Sequence, residues 1–280
     1  MNPLFQMTET RHGQMVVLSH DTYISRSLIE YGEWTESEFE LMAQTLQPGD
    51  HVIDVGANIG SLTLAFAQKV ASDGKAPSGH VFAFEPQPRI FQLLATNCVL
   101  NHATNARLFN MGCGAAPGEI EISEIGYEAE INYGALSLAT LNEAANAASA
   151  PAKRNVPIVK LDDVYDRDKL KMIKIDVEGM ELEVLNGATR LLRDFRPVLY
   201  IENEFADKSP ALVRKVQESG YEAWWHIAPC FNPQNVRGRK DNIFGTASCV
   251  NMLCIPKERA GEINGLEKIN DAEKHPRKIN

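Results

Sequence analysis

Short apolar runs that alternate with helical patterns constrain the fold of this chain more than any other feature. "HVIDV" (51–55) precedes "GSLTLAFAQKVA" (60–71), and "HVFAFE" (80–85) precedes "RIFQLLATNCVLN" (89–101), with "ARLFNMG" (106–112) next. Later "MIKID" (172–176) precedes "MELEVLNGATRLLR" (180–193), and "PVLYIEN" (197–203) precedes "SPALVRKVQESG" (209–220). Strands that are apolar along their whole length, separated by helices, predict a mostly parallel sheet covered on both faces. The last pair, "YEAWWHI" (221–227) and "SCVNMLCIP" (248–256), has no helical pattern between its members and reads as a hairpin that adds an antiparallel strand.

Three regions depart from the alternation. Residues 15–32, "MVVLSHDTYISRSLIEYG", read as short strands with turns, and "TESEFELMAQTL" (35–46) reads as a helix. Thr35 suits its N-cap, Glu38 completes a capping box, and Phe39, Met42 and Leu46 fall on one face. Residues 118–157 read as an insertion of strands and loop beside the mouth of the sheet, with an alanine-rich stretch, "NEAANAASAPAK". The tail after Pro256 is highly charged and lacks Phe, Trp and Tyr, so it is expected to be solvated and partly disordered. The organisation read is residues 1–48 packing on the core, 49–256 as the main domain, and 257–280 as a tail.

The junction "DVGANIG" (54–60) is built to hold a ligand. Gly56 can adopt backbone angles closed to bulkier residues, and Gly60 opens a helix whose first N–H groups face the turn. Dinucleotide sites need G-x-G-x-x-G, so that the pyrophosphate can touch the backbone. Here Asn58 stands at the middle glycine and the third is out of register. Asp54 offers nothing to a pyrophosphate but favours an ammonium or sulfonium ligand, of which S-adenosylmethionine is one. Asp54 could equally cap the loop through backbone N–H groups.

Glu85 ends the next strand, where a carboxylate can accept two ribose hydroxyls. Asp176 and Glu178 sit where "MIKID" gives way to a helix, and Glu181 suits that helix's N-terminus. In an open α/β sheet, ligands bind outside the carboxyl ends of the strands, so these acids point to one crevice.

Charge bounds the partners. A formal charge of −9 and a pI near 5.3 argue against nucleic acid and anionic membranes as partners. Five cysteines without a C-x-x-C pair argue against a disulfide framework or zinc site and suit a reducing cytoplasm. The first residues lack a signal-like apolar region, and no run approaches the roughly 18 apolar residues of a membrane span.

Together "VIDVGANIGSLTLAFA", "VFAFEPQPRIFQLLATNCVLN", "IKIDVEGMELEVLNGA" and "PVLYIENE" resemble the FkbM-type methyltransferases, over about Asp50 to Pro256. "VKLDDV" (159–164) before the "KIDVEG" strand matches the family's order. The resemblance implies a Rossmann-like class I α/β fold with a seven-stranded sheet, S-adenosylmethionine as cofactor, and methylation of hydroxyls on sugars or natural products. It implies a cofactor site at Asp54, Gly56, Asn58, Gly60 and Glu85, with Asn110 and Met111 near the adenine. Asp176 and Glu178 would face the methyl group or a small-molecule or glycan acceptor.

An aliphatic hydroxyl must lose its proton on attack, so a general base is expected. Candidates by strand-end placement are Asp176, first, then Glu178, Glu202 and His226. Asp176, Glu178 and Glu202 could supply a metal site, but no ligand spacing supports one, and no metal is expected. Arg237, Arg239 and Lys240 form either a solvated basic loop or a site for an anionic acceptor. A nicotinamide-dependent oxidoreductase and a non-catalytic scaffold of the same fold are the competing readings.

Overall fold

An eight-stranded sheet forms the centre of the computed structural model, which describes residues 3–74, 78–123, 126–134 and 153–277. In chain order the elements begin with β1 (Phe5–Thr10), β2 (Gly13–Leu18), α1 (Ile24–Tyr31), α2 (Glu36–Ala43), β3 (His51–Val55) and α3 (Ser61–Val70). Then come β4 (His80–Phe84), α4 (Pro88–Leu100), β5 (Ala106–Phe109), β6 (Gly112–Cys113), β7 (Gly118–Ser123) and β8 (Lys153–Val159). α5 (Leu161–Val164), β9 (Met172–Ile175), α6 (Glu181–Asn186), α7 (Thr189–Asp194), β10 (Val198–Glu202) and α8 (Ser209–Glu218) follow. The chain closes with β11 (Tyr221–Pro229), β12 (Ser248–Pro256) and the two-residue β13 (Glu267–Lys268).

The central order is β13-β11-β12-β10-β9-β3-β4-β5. Strands β5, β4, β3, β9 and β10 are parallel, and β12 runs antiparallel to both β10 and β11. Without the short edge strand β13 this is the expected seven-stranded sheet with its terminal hairpin. The chain leaves β3 towards β4 and β5, then returns to place β9 on the other side of β3. The order therefore reverses between β3 and β9, which opens a crevice at their carboxyl ends.

Period-two alternation places the two halves of each strand's side chains in separate cores. Ile53, Ile173, Leu199 and Ile201 pack with Val184, Leu191, Leu212 and Val216 of the helices on one face. Val52, Met172 and Tyr200 pack on the other face with Met42 and Phe66. Among the described residues, no helix is long and apolar enough to cross a membrane.

Three expectations are corrected. Residues 24–31 form helix α1 rather than a strand. The Asp21 carboxylate accepts the Ser25 N–H at 2.6 Å and starts the turn, while Leu28 and Tyr31 bury one helical face. Thr35 does not cap α2 with its side chain: it is left-handed (φ 44°), and its buried Oγ1 has no partner. Glu38, freed from a capping box, instead lines the crevice described below.

The charged tail also packs. β13 adds to the free edge of β11, and the Ile269 N–H donates to the Ala223 carbonyl at 2.8 Å. His275 lies 2.7 Å from the Asn203 carbonyl and edge-on to Trp225. Its composition suggested solvation because the exposed strand edge that receives it is invisible locally. Ile269, 4% exposed, belongs to the main core cluster. Ile269→Ala is therefore expected to lower stability by roughly 2–4 kcal/mol in urea titration, whereas an unattached tail would show no change. In the insertion, β7 and β8 form a small sheet with β6, and Asn132 and Gly134 reach the crevice. The alanine-rich stretch at 142–152 lies outside the described residues.

Candidate active site

At the carboxyl ends of β3, β4, β9 and β10 lies a cleft of about 420 Å³. One wall is the turn after β3. Gly56 (φ 79°) and Ala57 both donate their N–H to the Phe84 carbonyl at 3.0 Å. A Cβ on Gly56 would sit 1.7 Å from the Asp176 carbonyl oxygen, so glycine is required by contact as well as by angle. Asn58 is left-handed too (φ 50°), and its Oδ1 accepts the Ile59 N–H at 2.7 Å. Gly60 (φ 93°) begins α3 against Leu94.

Glu85 joins this wall. Its carboxylate accepts the Asn58 N–H at 3.0 Å and the Gln87 N–H at 2.8 Å. Burial pushes Glu85 up to about 7, against the lowering effect of those two donors. Each oxygen retains a lone pair for a ribose hydroxyl. Asn110 does not line the cleft; its amide donates to the carbonyls of Glu85 (2.9 Å) and Pro86 (3.0 Å) and holds their turn. Met111 is the residue of that pair that faces the cleft.

Asp54 is also displaced from its expected role. It is fully buried beneath the turn, with Oδ2 accepting the Thr63 hydroxyl at 2.6 Å and Oδ1 3.4 Å from Lys174 Nζ. Lys174, which the reading of the strand missed, donates to the Gly56 carbonyl at 2.9 Å and lies 3.3 Å from Asp176. Burial alone would lower its ammonium, but Asp176, Asp54 and Glu38 outweigh that and push it up. A lysine inside an otherwise wholly apolar strand was the available signal.

The far end of the cleft is acidic. Asp176, Glu178 and Glu202 each present an oxygen within 4.8 Å of the others, although the sequence spacing gave no metal-like pattern. Glu178 (φ 54°) and Gly179 (φ 96°) turn the chain so that this carboxylate faces the cleft. Burial, then Asp176, pushes Glu178 up to about 8 and Glu38 likewise to about 8. Burial and the neighbouring acids hold Glu202 well above the usual carboxylate range. Glu181 turns away to accept the Gly179 N–H at 2.8 Å.

His226 is not brought to this site. Its Nδ1 lies 2.7 Å from the Tyr200 hydroxyl, and burial lowers the imidazole. The basic loop is likewise used elsewhere: Arg237 donates to Thr8 Oγ1 (2.6 Å) and Arg239 pairs with Glu30 (2.7 Å). Residues that sequence reasoning missed complete the cleft: Tyr23, Trp34 and Glu38 from the N-terminal region, Asn251 from β12 and Arg277 from the tail.

The sheet order, the glycine turn and the acid closing β4 define a class I, Rossmann-like methyltransferase fold. The sequence model of the methyltransferase FkbM domain matches residues 54–223, more than half of the chain. The chain belongs to the FkbM methyltransferase family. It is 26% identical over 159 residues to methyltransferase sdnD of Sordaria araneosa, covering 49% of this chain and 59% of that protein. It is 27% identical over 165 residues to the hexuronic acid methyltransferase AglP of Haloferax volcanii, covering 57% and 58% respectively. The chain thus spans under two thirds of the length of these relatives. The solved methyltransferase FkbM of Methylobacillus flagellatus is 15% identical, with a TM-score of 0.42 over 78% of this chain and 58% of that one.

Proposed function

We propose that this chain is an S-adenosylmethionine-dependent methyltransferase acting on a hydroxyl oxygen of a sugar, glycoconjugate or related small molecule. The observation that carries the cofactor reading is the Asn58–Glu85 link, which sets a ribose-binding carboxylate against a glycine cradle. The same turn disfavours a dinucleotide. Asn58 Oδ1 occupies the Ile59 N–H, a donor in the turn before α3 that a pyrophosphate would need.

When bound, S-adenosylmethionine supplies a methyl group on a sulfonium, whose departure leaves a neutral thioether. The chain's part is to place the acceptor oxygen in line and take its proton. Asp176, with a side chain 40% exposed and one edge held by Lys174, remains the first choice for that proton. Glu178 and Glu202 stand beside it. Trp34 and Tyr23, which also line the cleft, offer aromatic surface for a sugar ring. The hexuronic acid in the name of the Haloferax relative supports this acceptor class.

Isothermal titration with S-adenosylhomocysteine, with NAD in parallel, is the test. Saturable binding of the first alone is expected, and Glu85→Ala should weaken it about 10–100-fold by removing two charge-assisted hydrogen bonds. Binding of NAD alone would overturn the cofactor reading. Binding of neither would favour a scaffold.

A further inference from the structure

We propose that Asp176, Glu178 and Glu202 hold a divalent cation at the acceptor end of the cleft. The cation's purpose, to fix an acceptor hydroxyl, rests on the methyl-transfer reading; its ligands do not.

The geometry suits a hard cation. The three ligand oxygens come from two neighbouring strand ends, after β9 and on β10, and lie within 4.8 Å of one another. Oxygens on opposite sides of a cation are separated by twice the bond length, ~4.2 Å for Mg²⁺ and ~4.8 Å for Ca²⁺. An all-carboxylate set selects Mg²⁺, Mn²⁺ or Ca²⁺ over softer metals.

Two further observations point to a ligand there. Glu202 Oε2 is enclosed and has no hydrogen-bond partner. Asn251, 3% exposed, faces Glu38 without reaching hydrogen-bond geometry, and its Nδ2 is also unpartnered. Asn251 is the register partner of Glu202 on β12, so both side chains stand on the same side of the sheet and line the cleft. Each such orphan is costly to leave buried. One is an acceptor and needs positive charge. The other is a donor and needs an oxygen. An acceptor hydroxyl bound to a cation supplies both, with Asn251 donating to the hydroxyl oxygen.

Charge gives the same answer. Glu38, Glu85, Asp176, Glu178, Glu202 and Glu204 line the cleft, against only Lys174 and Arg277 among the described residues. Lys174 is committed to Asp54, Asp176 and the Gly56 carbonyl, and Arg277 to Glu204. Asp176, Glu178 and Glu202 are thus left to face one another across less than 4.8 Å. A bound divalent cation would offset two of the three ligand charges and make a coordinated hydroxyl easier to deprotonate.

The test is titration of the full, chelator-treated chain with MnCl₂, followed by calorimetry and by the electron paramagnetic resonance of free Mn²⁺. One saturable site is expected, weakened ~10–100-fold in Glu202→Gln and in Asp176→Asn, with Glu218→Gln, at the exposed end of α8, as the unaffected control. Circular dichroism confirms that each variant is folded. No saturable site up to about 10 mM MnCl₂, or a site unchanged in both variants, overturns the inference. S-adenosylhomocysteine binding in the presence of chelator is measured separately. If it persists while Mn²⁺ does not bind, the cation falls and the methyl-transfer reading stands.

Discussion

Gly56→Val is expected to abolish measurable S-adenosylhomocysteine binding and to lower stability by roughly 3–5 kcal/mol. Two effects add. At φ 79° a β-branched residue is strained, and its Cβ would meet the backbone oxygen of Asp176 at 1.7 Å and its carbonyl carbon at 2.8 Å. Backbone at the end of a central strand cannot step aside as a side chain can, so the turn itself must move. Its movement breaks the paired donation of Gly56 and Ala57 to Phe84, and with it the placement of Asn58 against Glu85. Gly60→Ala provides the contrast. Its Cβ would meet the end of the flexible Leu94 side chain at 2.7 Å, so the cost should be confined to about 1–2 kcal/mol of backbone strain. Thermal unfolding and calorimetry on both variants check this. A Gly56→Val protein that binds with unchanged affinity would remove the turn from the cofactor site.

Features set by local pattern were legible in the sequence. Apolar runs with no polar face identified the parallel strands, and the glycine turn with Glu85 at the next strand end located one wall of the cleft. The Asn58–Glu85 hydrogen bond shows why the two belonged together. Strand-end placement already groups Asp176, Glu178 and Glu202, and they meet because β9 pairs with β10. What escaped depends on which strands become neighbours. Asn251 joins these acids because β12 lies antiparallel on the other side of β10. His226 misled for the converse reason: it lies on β11 near the expected strand end, but its side chain turns towards Tyr200. Asp54 misled because a strand-end acid looks alike whether it faces a ligand or a buried lysine.

That lysine carries the second large effect: Lys174→Met should destabilise the protein by roughly 3–5 kcal/mol at neutral pH while keeping its volume. It leaves the fully buried Asp54 with only the Thr63 hydroxyl, and Asp176 without its cation. The pH dependence separates charge from packing. In the native protein the ammonium is raised above its unfolded value of ~10.4, so its contribution is complete below that pH and lost only as pH rises through the higher folded value. Between pH 5 and 8 it should therefore be constant. The raised carboxylic acids behave oppositely. Glu85 (about 7), Glu38 and Glu178 (each about 8) bind protons more tightly folded than unfolded. The native protein should thus lose stability as pH rises from about 5 to 8. In Lys174→Met these three acids also lose the ammonium that lowers each of them, so they hold their protons more tightly still. The deficit relative to the native protein should then be largest near pH 8 and shrink towards pH 5. Adding Glu38→Gln to Lys174→Met should reduce that dependence. Urea unfolding of the three proteins across this range is the measurement, and a deficit independent of pH would assign Lys174 a packing role.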